Sequence, residues 1–159
     1  MKQLQAVQVA IELAQRRRDD AAKVLAAAMQ NQQAAQGQMG QLQAYAQETD
    51  AKWLNRAQVS ASPALMQHHY QFMAKLDQAM VFQQSVIQNH GHRVAQMRQA
   101  LVDADQRLSS FEHVLASRQA AIHAVLNRRQ QRETDELAAR MGTQRNRRLG
   151  EEEAQWLSN

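Results

Sequence analysis

Six histidines are the residues of this chain best suited to hold a metal or move a proton: His68, His69, His90, His92, His113 and His123. Their spacing argues against both roles. A helical metal site of the hydrolase type needs two histidines four residues apart, with a carboxylate beside them. No two of these six stand four apart. His68 and His69 fall on different faces of a helix, and His90 and His92 are separated by about 200° around one. The chain has no cysteine, which removes thiol catalysis, thiolate metal sites and disulfides and fits a reducing compartment. No serine–histidine constellation resembles a triad, and no glycine-rich loop could cradle phosphate. The expectation is a chain that is not an enzyme and takes no cofactor and no metal. Its histidines then read as polar seam or surface residues.

The charged clusters are the next candidates. Arg16-Arg17-Arg18 is followed at once by Asp19-Asp20, so that segment is balanced. The stretch from Asn127 to Arg140 carries Arg128, Arg129, Arg132 and Arg140. Such a run could meet nucleic acid, an acidic protein surface or anionic lipid, although a solvated helix face is its commonest meaning. The net charge is only +4 over 159 residues. No aromatic side chains lie close to the arginines for base stacking. Nucleic acid is therefore not an expected partner.

These residues must be positioned by helices. Aromatics make up 4% of the chain, and there are five glycines and a single proline, so an ordinary globular core is out of reach. Ala and Gln are abundant, and both favour helix. An apolar register in alternating steps of three and four runs through Leu4, Val7, Ile11, Ala14, Arg18, Ala21, Leu25, Ala28, Gln32, Ala35, Met39, Leu42, Ala46, Thr49 and Trp53. Twelve of these fifteen are apolar. A second ladder runs from Met66 through His69, Met73, Leu76, Met80, Gln83, Ile87, His90, Val94, Met97, Leu101, Ala104, Leu108, Phe111, Leu115, Arg118 and Ile122 to Val125. Fourteen of its eighteen positions are apolar. A mean step of 3.5 residues keeps one seam facing a partner helix, which is the requirement of a left-handed coiled coil. Polar seam members such as Arg18, Gln32, Gln83, His90 and Arg118 specify register at a cost in stability.

Between the ladders, Ser62-Pro63 reads as an N-cap followed by a first-turn proline. The expected organisation is a first helix over 1–56, a turn over 57–62, a second helix over 63–141 and a flexible, frayed charged tail over 142–159 beginning at Gly142. A short link between long helices makes them antiparallel neighbours. The fold class is thus all-α, an antiparallel two-helix coiled-coil hairpin with a longer second helix. Beyond Val125 the sequence is nearly all polar, so that part of the second helix is solvated or awaits a partner. The longest apolar run, Val24 to Met29, is too short to span a bilayer. Nothing has the charged–apolar–small pattern of a signal peptide. The chain is expected in the cytoplasm, with no membrane span.

A shape without a pocket must act through exposed faces. The hairpin brings Tyr45 opposite Phe72, Gln38 opposite Ala79 and Leu42 opposite Leu76. Tyr45 and Phe72 flank the seam rather than occupy it. Two aromatics so placed suggest a contact surface; the alternative is a local widening of the hairpin's own core.

At these residues the chain resembles the flagellar FliJ family, components of the bacterial type III protein export apparatus. The resemblance rests on the hairpin layout and on two spaced sets, Gln38-x3-Leu42-x2-Tyr45 and Tyr70-Gln-Phe72-x3-Leu76-x2-Ala79. Leu108-x2-Phe111-x3-Leu115 and the arginine-rich stretch from Asn127 to Arg140 add to it. It covers roughly residues 3–141, and Thr49 departs from it where an aromatic is expected. The resemblance implies a stalk that couples the hexameric export ATPase to the membrane export gate and can escort export chaperones. It implies a cytoplasmic protein peripherally associated with the inner membrane at the flagellar base, serving flagellum biogenesis and motility. Mapped onto this chain, Gln38, Leu42, Tyr45, Phe72, Leu76 and Ala79 would contact the cytoplasmic domain of the gate. Arg128, Arg129, Arg132 and Arg140 would meet the ATPase ring. The equivalent stalk of a virulence-type injectisome is the nearest alternative, and a generic coiled-coil scaffold or nucleic-acid-binding hairpin is the alternative from another class.

Overall fold

The computed structural model describes residues 2–60 and 62–158 of the chain. It contains two α-helices, α1 (Lys2–Ala57) and α2 (Pro63–Leu157), and no strand among the described residues. Their contacts make an all-α antiparallel hairpin in which α2 is the longer helix. Two units are distinguished: Ala10–Ser109, and Met1–Val9 with Ser110–Asn159.

In the first unit the seam follows the ladders. Every ladder member of α1 in this unit is buried or half-buried, from Ile11 to Trp53. The most buried positions of α1 here are alanines: Ala14, Ala28, Ala35 and Ala46. Those of α2 are Leu76, Val94 and Leu108. Small residues on one helix and larger ones on the other let the helices approach while the side chains still fill the space. Among the described residues no side chain is completely enclosed, because a two-helix seam has only one partner surface. Each Leu or Val sealed there stabilises the hairpin by up to about 1.5–3 kcal/mol.

Polar seam residues are held. Gln83 Nε2 donates to the Ala35 carbonyl at 2.9 Å and to Gln38 Oε1 at 3.1 Å, so both hydrogens of its amide find acceptors. A Cβ at Gly91 would sit 3.5 Å from Gln32 Nε2, ordinary van der Waals contact. Gly91 is thus tolerated rather than required, and α2 runs through it.

The turn follows its chemistry. Ser60 N donates to the Arg56 carbonyl at 3.0 Å and closes the end of α1. Ser62 Oγ accepts from Leu65 N at 3.3 Å, the N-cap bond expected ahead of Pro63. Ala61, inside the expected turn, lies outside the described residues.

In the second unit, Val7 is buried and Leu4 and Leu115 are half-buried. Arg118 Nη1 donates to the Gln3 carbonyl at 3.5 Å. From Ala116 onward every described residue of α2 is exposed. The helix nevertheless continues, and this corrects one expectation: it does not end at Gly142 but persists to Leu157. Gly142 has no positive φ, so it does not act as a C-cap and costs only about 1 kcal/mol against Ala. Arg, Leu, Glu, Ala and Gln after it are good helix formers. Thr143 Oγ1 donates to the Ala139 carbonyl at 2.9 Å, and Arg147 lies 3.9 Å from Glu151 one turn on.

Candidate functional site

Tyr45 and Phe72 are brought together as the ladder register requires. Their ring centroids are 6.1 Å apart with planes at 78°, an edge-to-face pair. Tyr45 remains 53% exposed and Phe72 39%. The nearby seam positions are more enclosed, Leu42 half-buried and Leu76 buried. The other two members of the expected set behave differently. Ala79 is half-buried. Gln38 is exposed, and its amide oxygen is taken by Gln83, one turn beyond the Ala79 expected to face it.

A second aromatic cluster lies toward the turn and was not singled out from the sequence. Trp53 and His69 stack at 4.5 Å with nearly parallel planes, 8° apart. His69 Nε2 lies 3.4 Å from Asp50 Oδ1, and Tyr70 stands at 6.3 Å from the imidazole. The signal was present in the ladders, since Trp53 is the last member of the first and His69 stands near the start of the second. Trp53 and His69, with Tyr45 and Phe72, border an open groove of about 940 Å³ whose lining also includes Leu65. His69 thus pairs with a ring and a carboxylate rather than with other ligating groups. Among the described residues no group of three or more His, Cys, Asp or Glu could hold a metal ion.

The arginines of α2 form a separate surface. Arg128, Arg129, Arg132 and Arg140 are all exposed, and steps of 100° place them within an arc of about 120° on the helix. Arg129 Nε is 3.1 Å from Glu133 Oε1, one turn away. The pair is solvated and worth a few tenths of a kcal/mol, so these charges cost little to redirect toward a partner.

The family model for the flagellar FliJ protein matches residues 1–147. This chain belongs to the flagellar FliJ family. Comparison with curated proteins and with solved structures finds no match. FliJ family membership makes it a flagellar export-related protein, of a family that is a non-catalytic component of the export apparatus. The match spans both surfaces just described, the aromatic pair and the arginine arc, and extends beyond Gly142. Among the described residues no helix is long and apolar enough to cross a membrane.

Proposed function

We propose that this chain is the stalk that couples the flagellar export ATPase to the export gate and escorts export chaperones. Two surfaces would divide the work. The gate's cytoplasmic domain would dock on Tyr45 and Phe72, with Leu42, Leu76 and Ala79 supporting the rings and Gln38 at the margin. The hexameric ATPase would receive the arginine arc of Arg128, Arg129, Arg132 and Arg140. Coupling would be mechanical, through a helix continuous from one binding surface to the other, and the protein would sit in the cytoplasm against the inner membrane at the flagellar base.

The observation that supports this most is the exposed edge-to-face pair. An aromatic pair left half in solvent beside a sealed seam offers apolar area that the hairpin does not itself use. Aromatic anchors at protein contacts are often worth about 2 kcal/mol or more. The test is binding of the purified gate domain and of the purified ATPase to single-surface variants. Tyr45→Ala and Phe72→Asp should weaken gate binding at least about tenfold, the equivalent of about 1.4 kcal/mol, and leave ATPase binding intact. Unchanged gate affinity in both would remove the assignment.

A further inference from the structure

Beyond Asn127 the exposed part of α2 carries its charges in four blocks of alternating sign: Arg128 to Arg132, Glu133 to Glu136, Arg140 to Arg148, and Glu151 to Glu153. Two ion pairs recur within them, Arg129–Glu133 at 3.1 Å and Arg147–Glu151 at 3.9 Å. Arg147 follows Arg129 by about five full turns, so both pairs lie on one helix face. Both run with the cation N-terminal to the anion, which is the less favourable order for a lone helix. Beside them stand Leu126, Leu137 and Met141, 50%, 60% and 66% exposed.

We propose that this face binds the same face of a second copy of the chain, antiparallel, about a two-fold axis near Arg140 and Met141. Charge complementarity selects the occupant and its direction. In the antiparallel register Arg129 meets the partner's Glu151 and Glu133 meets the partner's Arg147. Symmetry repeats both contacts. The block at 128–132 then lies along 148–152, and the block at 133–136 along 144–147, each against the opposite sign except where Arg132 lies along the partner's Arg148. A parallel, in-register pair would set every block against its own sign. The contact is isologous, so it closes on two copies. Leu126, Leu137 and Met141 supply the apolar strip along the shared face. Two kinds of like-charge contact remain, Arg140 against its own copy at the axis and Arg132 along the partner's Arg148, and they limit the affinity. Exposed ion pairs are individually weak and fix orientation more than strength, so the dimer is modest and salt-sensitive. The pairing rests on this chain's own residues and is independent of the ATPase reading, although both draw on Arg129.

The experiment is sedimentation equilibrium of the full-length chain, with two charge-reversed chains. One carries Arg129→Glu and Arg147→Glu; the other carries Glu133→Arg and Glu151→Arg. The unaltered chain should dimerise with concentration, and dissociation should rise at least about tenfold between roughly 50 mM and 500 mM salt. Each variant alone should lose the dimer, and an equimolar mixture should restore it. Spin labels at Asn127 should lie about 40 Å apart in the dimer, against a helix spacing of about 10 Å for a parallel pair. An unaltered chain that stays monomeric at low salt overturns the proposal. So does a dimer that survives in both variants, a mixture that fails to associate, or close labels at position 127.

Discussion

The two stretches of α2, one sealed against α1 and one exposed along its described length, are built from the same helix-forming residues yet differ in what they bury. Over 66–115 the ladder positions are buried or half-buried, apart from Met66 and Phe111. From Ala116 on nothing among the described residues is buried, although Ile122 and Val125 keep the ladder's spacing. Helical backbone therefore does not report on seam formation in this chain. Propensity and solvated i,i+4 pairs are enough to extend the helix, while burial depends on a facing helix. The contrast assigns different chemistry to the two stretches: apolar rings at the margin of a sealed seam in one, unshielded charge in the other.

The contrast is sharpest in stability. Leu76 is 8% exposed, so Leu76→Ala should destabilise the hairpin by about 2–3 kcal/mol, toward the low end for packed cores because the seam is thin. Tyr45→Ala, at the margin, should cost no more than about 1 kcal/mol, the worth of an edge-to-face pair. Urea unfolding followed by circular dichroism measures both. Equal losses would make Tyr45 part of the core and break the distinction between anchor and seam.

A smaller effect separates the two stretches by their glycines. Replacing Gly91 with Ala meets only ordinary contact at Gln32, and should raise the stability of the cooperative hairpin by up to about 1 kcal/mol. Replacing Gly142 with Ala meets nothing. It should raise helicity locally and leave the midpoint of unfolding unmoved, because no seam is coupled to it. A shift of the midpoint at Gly142 would show that the two stretches unfold together.

Much of this was legible in the chain. The fifteen ladder positions of α1 are all removed from full exposure, because the 3.5-residue period leaves a helix one face to bury. Ser62-Pro63 marked the start of α2 through local capping chemistry that needs no tertiary information. The Tyr45–Phe72 pair followed from antiparallel register. Three features did not follow. Gly142 suggested a stop, but a glycine ends a helix only where the chain after it adopts a left-handed or capped turn, and residues 143–157 favour helix. Gln38 was expected opposite Ala79, yet the long Gln83 side chain reaches it from one turn further on. The Trp53–His69 stack with Asp50 was hidden because ladder positions reveal who faces the seam, not which neighbouring rings will lie flat against each other.

The most direct test of a stalk with two separate binding surfaces is bridging. The ATPase hexamer is immobilised, the chain is added, and capture of the gate's cytoplasmic domain is read as a function of concentration. The unaltered chain should bridge the two. Tyr45→Ala should keep ATPase binding and lose capture of the gate domain by at least about tenfold. A chain with Arg128, Arg129 and Arg132 changed to Glu should lose the ATPase while still binding the gate domain alone. Loss of both partners in either variant, or bridging that neither variant disturbs, would contradict the account.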